Sequence, residues 1–144
     1  AVGRLHPDMI IHLGDCWADA EQLHRKFPMT VMEQVPGNCD CRQEVQERIL
    51  LIEGKKILIC HGHTFNVKAG YLNLEYAAEE RKVDAALFGH THRVFYDKHN
   101  RITYMNPGSI GQPPYGIPPS YGILQVDGSS NTIATDVIYL EENN

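Results

Sequence analysis

The chain has 144 residues, 42% of them hydrophobic and 22% charged, with a formal net charge of −5. That is room for one ordinary soluble domain, which buries roughly 70% of its unfolded surface and holds a core without staples. Recurring apolar residues exclude dominant disorder, the lack of any apolar run near ~18 residues excludes a membrane helix, and the acidic balance excludes a long duplex DNA footprint. A small phosphate substrate stays admissible, because bound metal ions supply positive charge locally.

Val2-Gly3-Arg4-Leu5 reads as the tail of a helix, and the first residues are not a signal peptide. Met9-Ile10-Ile11-His12-Leu13 is a short apolar run ending at Gly14-Asp15, the pattern of a buried parallel strand followed by a loop. Ala18 to about Lys26 is predicted as a helix. Thr30–Val35 is predicted as a strand stopped by Pro36-Gly37, and Glu44–Leu51 and Lys55–Cys60 as two strands around Glu53-Gly54-Lys55. After a loop over His61–Asn66, Tyr71–Lys82 combines apolar Tyr71, Leu72, Leu74, Ala77 and Ala78 with charged outer residues, an amphipathic helix. Ala85–Phe88 is a strand ending at Gly89. Val94–Tyr96 and Ile102–Met105 are expected as a hairpin around Asp97-Lys98-His99-Asn100. The proline- and glycine-rich stretch Pro107–Gly122 is expected as an ordered loop or mobile flap, not a strand. Tyr121–Asp127 and Thr132–Leu140 alternate in polarity and close the chain as a hairpin. The predicted class is α/β, with two β-sheets packed face to face and helices outside.

The four cysteines are Cys16, Cys39, Cys41 and Cys60. A domain of this size needs no disulfide framework, so they read as reduced thiols of a cytoplasmic protein. No pair has the C-x-x-C spacing of a zinc ribbon.

The informative pattern is where polar residues follow apolar strands. Asp15 follows the first, Asn38 the second, His61 the third, and His90 and His92 the fourth, each after or beside a glycine. Sites in α/β folds form at the carboxyl ends of strands, and glycine lets the backbone turn sharply beside a ligand. A Gly-Asp pair alone is an ordinary turn, and one histidine after a strand is ordinarily a hydrogen-bonded core residue. Four such strand ends in order define a metal site. Carboxylate, amide oxygen and imidazole suit manganese, iron, nickel or zinc, and the lack of obligatory thiolates argues against a closed structural zinc site. Asp15, one carboxylate among neutral ligands, suits bridging of two ions, which would acidify a shared water and clamp phosphoryl oxygens.

Ile11-His12-Leu13-Gly14-Asp15, Gly37-Asn38-Cys39-Asp40, His61-Gly62-His63, Gly89-His90-Thr91-His92 and Asn106-Pro107-Gly108-Ser109 together resemble the successive motifs of the calcineurin-like metallophosphoesterase superfamily. The likeness is to its small bacterial and archaeal phosphodiesterase branch, which also contains the metallophosphoesterase-like subunit of retromer. The resemblance implies a four-layer sandwich of two mixed sheets with flanking helices. It implies two divalent ions, manganese first among the alternatives. Asp15 would bridge both, Asn38, His61 and His90 would complete the second ion's shell, and His92 would bind the first. The implied reaction is attack of a metal-bridging hydroxide on a small phosphodiester.

The chain departs from that pattern twice. The superfamily's opening Asp-x-His motif and its first strand are absent, so a single domain over 1–144 is expected to lack roughly 15–30 residues before Ala1. Cys39 stands where many relatives carry a histidine that assists the leaving group, a change that favours diesters with good leaving groups over monoesters. His63, two residues from a ligand, either takes over that acid role or makes a supporting hydrogen bond. His12 reads as a packing or supporting residue. A phosphodiesterase is therefore expected. The alternatives are a protein-interaction scaffold with weak or no catalysis and a metal-dependent phosphomonoesterase. The expected partners are a small phosphodiester, no duplex nucleic acid, no membrane, and a homo-oligomer whose interface nothing in the sequence fixes.

Overall fold

The computed structural model describes residues 1–141. In chain order the elements are α1 (Val2–Leu5), β1 (Met9–His12), α2 (Trp17–Lys26), β2 (Val31–Gln34), β3 (Glu47–Ile52) and β4 (Lys55–Cys60). A 3-10 turn over His63–Phe65 follows, then α3 (Leu72–Glu80), β5 (Ala85–Leu87), β6 (Val94–His99), β7 (Ile102–Pro107), β8 (Ser120–Asp127) and β9 (Thr132–Tyr139).

A mixed sheet of order β3-β4-β5-β7-β6 forms the centre. β4, β5 and β7 run parallel, and β3 and β6 are antiparallel edges. Ile57, Leu58, Ile59, Cys60, Ala85 and Ala86 are closed to solvent. Strands covered on both faces read as unbroken apolar runs, which is why β4 and β5 lack alternation. Each large aliphatic buried there contributes about 1.5–3 kcal/mol. On one face Leu58, Cys60, Ala86, Phe88 and Tyr104 pack with Leu74 and Ala78 of α3. On the other, Ile57, Ile59, Leu87 and Met105 pack with Ile11 and Leu13 and with Leu124, Ile133 and Val137. The second strand layer consists of two separate pairs, parallel β1-β2 and antiparallel β8-β9. α2 covers the outer side of β2, where Glu21, His24 and Arg25 line a cleft with Met32 and Gln34. The layers are thus helix, sheet, sheet, helix, as the sequence predicts.

Local details differ from the sequence reading. α3 stops at Glu80 because Lys82 turns left-handed (φ 52) and its N–H bonds the Glu79 carbonyl. β6 continues to His99, so the hairpin turns at Asn100-Arg101, both left-handed (φ 48 and 66), the backbone that a tight hairpin favours. The irregular stretch is shorter than expected at both ends. Pro107 closes β7 and β8 starts at Ser120. The Ser120 hydroxyl donates to the Pro107 carbonyl at 2.7 Å, pinning the two ends of the loop together. Among the described residues no helix is long and apolar enough to cross a membrane.

Candidate metal centre

Parallel pairing sends the C-terminal ends of β1, β2, β4 and β5 towards the residues singled out above. The loops after β1 and β2 meet glycine to glycine. A Cβ on Gly14 (φ +100) would lie 2.7 Å from both the Gly37 nitrogen and His61 Nδ1, and one on Gly37 would overlap the Asp15 carboxylate. Only glycines let the two loops and His61 come this close. Asp15, Cys16, His90 and His92 also hold positive φ (58, 55, 67 and 58). Each costs about 1–2 kcal/mol relative to ordinary backbone, and such residues cluster where function over-determines the geometry.

Four of the five expected ligands converge. His61 Nε2 lies 3.1 Å from Asn38 Oδ1, 3.1 Å from His90 Nδ1 and 3.4 Å from Asp15 Oδ2. The other ring nitrogen, Nδ1, meets the Leu13 carbonyl at 2.7 Å. A carbonyl only accepts, so Nδ1 carries the proton. Burial pushes the His61 pKa down, opposed by the Leu13 carbonyl and Asp15, so the ring is neutral and Nε2 holds a lone pair. That lone pair faces an amide oxygen, a carboxylate oxygen and a second imidazole nitrogen. At most one proton, on His90 Nδ1, can sit among four acceptor atoms. A cluster this rich in acceptors and this poor in donors is satisfied by a cation.

Asp15, His61 and His90 do not by themselves ring a common cation position: among the described residues no set of three or more His, Cys, Asp and Glu side chains does. The amide of Asn38 belongs to the cluster, and the centre of convergence is the His61 nitrogen. Donors about 3 Å apart are nonetheless spaced as neighbours on a shell with ~2.1 Å bonds. The residues present therefore fit a divalent ion of the borderline class.

His92 is half-buried and, among the described residues, shares no hydrogen bond or ring contact with these four. The His63 ring centroid is 5.3 Å from that of His61 and 6.1 Å from that of His90. Its Nδ1 is buried without a hydrogen-bond partner. Cys39 is exposed. Its backbone N–H donates to Asp15 Oδ1 at 3.1 Å, and its sulfur lies 3.6 Å from Asn38 Nδ2. The Asp15 carboxylate, then burial, holds the Cys39 thiol above its ordinary range, so it is protonated at neutral pH. Cys16, Cys41 and Cys60 are free thiols too.

Supporting contacts fix the loops. Gly14 N–H donates to His12 Nδ1 at 3.3 Å, the supporting role expected of His12. Two further residues do more than their sequence signal suggests. Asp40 accepts the Trp17 N–H at 2.9 Å and the Gly37 N–H at 2.7 Å, binding the first loop to the second. Asn106, fully buried, donates to the Gly89 carbonyl and to Thr91 Oγ1, both at 2.9 Å, and accepts the Gly108 N–H at 3.0 Å. It locks the turn that carries His90. The available signal for Asn106 is its place at the head of Asn106-Pro107-Gly108-Ser109, directly after the strand residues Ile102–Met105.

This fold, with these residues gathered at its strand ends, is that of a metallophosphoesterase-type protein. The model of the calcineurin-like phosphoesterase superfamily domain matches residues 2–129, and the chain belongs to that superfamily. It is 36% identical over 128 residues to the probable metallophosphoesterase YsnB of Bacillus subtilis, covering 88% of this chain and 73% of that protein. It is 30% identical over 114 residues to the phosphodiesterase YfcE of Escherichia coli K12, covering 79% of this chain and 50% of that one. Among solved structures, a conserved predicted phosphoesterase of Streptococcus pneumoniae superposes with a TM-score of 0.75 at 22% identity. That match covers 91% of this chain and 88% of the other.

Proposed function

We propose that the chain carries the metal centre of a divalent-metal-dependent phosphodiesterase acting on small phosphodiesters. The observation that carries this reading is the convergence of Asn38, His90 and Asp15 on the unprotonated Nε2 of His61. Asp15, Asn38, His61 and His90 would hold one ion. Asp15 and His92 would contribute to a second, with manganese the first candidate and nickel, iron and zinc the others. When bound, such ions supply an acidified water as nucleophile and positive charge for the phosphoryl oxygens.

The chain's own groups do the rest. Leu13 fixes the His61 tautomer, and the Cys39 N–H orients the Asp15 carboxylate. The protonated Cys39 thiol beside Asp15 and Asn38 and the His63 ring beside His61 and His90 would be the groups nearest a leaving group. S–H is a weak hydrogen-bond donor to a developing alkoxide, which favours diesters with good leaving groups over monoesters. The name of YfcE as a phosphodiesterase supports the diester assignment.

The test is hydrolysis of bis(p-nitrophenyl) phosphate with and without manganese. Manganese-dependent turnover, lost in His90→Asn, is expected. A folded, manganese-loaded sample that cleaves no diester overturns the reading.

A further inference from the structure

A cleft of about 360 Å³ opens beside the metal centre, lined by Val67, Lys68, Tyr71, Thr91 and Arg93. Its walls are built from the two loops that carry the histidines. Val67 is buried against the first loop: a Cβ on Gly62 would lie 2.9 Å from its side chain, and its N–H reaches the Gly62 carbonyl. Thr91 follows His90 and is held in place by Asn106 at 2.9 Å. Its hydroxyl also accepts the Arg93 N–H at 3.2 Å. Tyr71 is fixed by ring packing on Phe95, centroid to centroid 4.1 Å.

Two features of this cleft suit an anionic ligand. Both charged residues in its lining are cations, in a chain of net charge −5. Among the described residues neither Lys68 nor Arg93 is engaged by a carboxylate, so both are available to an anion. Both are exposed and sit next to loops that would hold divalent ions, where like charge repels them. Arg93 directly follows His92, and Lys68 directly follows Val67, which packs on Gly62 beside His61. An anion entering from solvent removes this repulsion.

We infer that this cleft, resting on the phosphodiesterase reading above, binds a second phosphate on the substrate, one arm away from the diester being cleaved. Lys68 and Arg93 clamp that phosphate, Arg93 through its planar fork of donors, and Tyr71 with Val67 forms the apolar wall beside the connecting group. The preferred substrate class is then a phosphodiester that also bears a phosphomonoester, such as a phosphorylated nucleotide.

The test compares bis(p-nitrophenyl) phosphate, which has no second anion, with thymidine 3′-phosphate 5′-(p-nitrophenyl phosphate). Binding of thymidine 3′,5′-bisphosphate to the manganese-loaded protein is followed by calorimetry in parallel. Lys68→Glu with Arg93→Glu is expected to lower the ratio of kcat/KM values for the two substrates by at least about tenfold and to weaken bisphosphate binding at least about tenfold. Lys98→Glu, an equal kind of charge reversal on the distant β6 hairpin, is expected to move neither. Loss of bisphosphate binding in the double variant, with neither diester cleaved by the wild type, supports the cleft and sinks the phosphodiesterase reading. Unchanged selectivity with diesters still turned over, or no bisphosphate binding by the wild type, overturns the cleft.

Discussion

His61 Nδ1 donates to the Leu13 carbonyl at 2.7 Å, which ties the residue after β4 to the residue after β1. The bond settles the tautomer, and the tautomer makes Nε2 an acceptor among acceptors. A cation relieves that frustration, so metal binding is coupled to stability. Manganese at 100 times its Kd is expected to stabilise the protein by about 2.7 kcal/mol, a shift that a chelator reverses. His61→Ala removes the ligand at the centre of the cluster and should show no manganese-dependent rise in Tm. An equal rise in that variant would mean the ion binds elsewhere.

Asn106 stands outside the cluster but holds the His90 turn by three hydrogen bonds from a fully buried side chain. Asn106→Ala leaves the Gly108 N–H without its partner and takes one of two donors from the Gly89 carbonyl, which keeps the Thr91 N–H. The expected cost is about 1–3 kcal/mol of stability, read from urea midpoints. Because the turn carries a ligand, manganese affinity in the folded variant should also fall about 10–100-fold. A variant that loses stability with affinity intact would confine Asn106 to the scaffold.

Much of this was legible in the sequence, and the parts that were not have physical reasons. Asp15, Asn38, His61 and His90 could be found because each follows an apolar run and adjoins a glycine. The structure shows why those glycines are there, since Gly14 and Gly37 occupy space that any Cβ would fill. Asp40 could not be ranked that way. Its importance lies in accepting the Trp17 N–H 23 residues away, and no local pattern reports a contact of that range. The reach of β6 to His99 was missed because Asp97-Lys98-His99-Asn100 has turn composition. A strand on the sheet edge with residues exposed along its outer half tolerates such residues. The division of the second layer into β1-β2 and β8-β9 likewise follows from pairing between distant segments.

Cys39 bears on which esters are cleaved. Its thiol is held protonated by the neighbouring Asp15 carboxylate, but S–H is a weak hydrogen-bond donor and does little for a departing alkoxide. Cys39→His places an imidazole at the same exposed position without touching the backbone N–H that orients Asp15. Turnover of a dinucleoside phosphodiester, whose leaving group is an alkoxide, relative to bis(p-nitrophenyl) phosphate, whose p-nitrophenolate leaves without a proton, is expected to rise about tenfold or more. Cys39→Ala should leave that ratio within about threefold, since a weak donor is lost. A fall in the ratio in Cys39→His would remove the leaving-group role from this position.

The acid limb of stability reports the neutral histidines directly. Burial, followed by His61, Lys68 and His63, lowers the His90 pKa from 6.5 to about 4, and burial lowers His61 as well. In the unfolded chain both take up protons near the ordinary 6.5, while in the folded, metal-free protein His90 stays unprotonated down to about 4. Between those values the unfolded state binds more protons, so the stability of the chelator-treated protein rises with pH across the window and is lost as pH falls through it. Urea midpoints taken at several pH values across that window, in the presence of chelator, should decline towards the acid end. His90→Asn, a residue that tolerates the left-handed backbone (φ 67) at this position, removes the titrating ring and should flatten the decline. An identical slope in the variant would assign the acid sensitivity to the carboxylates or to the other histidines, and would mean that His90 is as accessible to protons in the folded protein as in the unfolded chain.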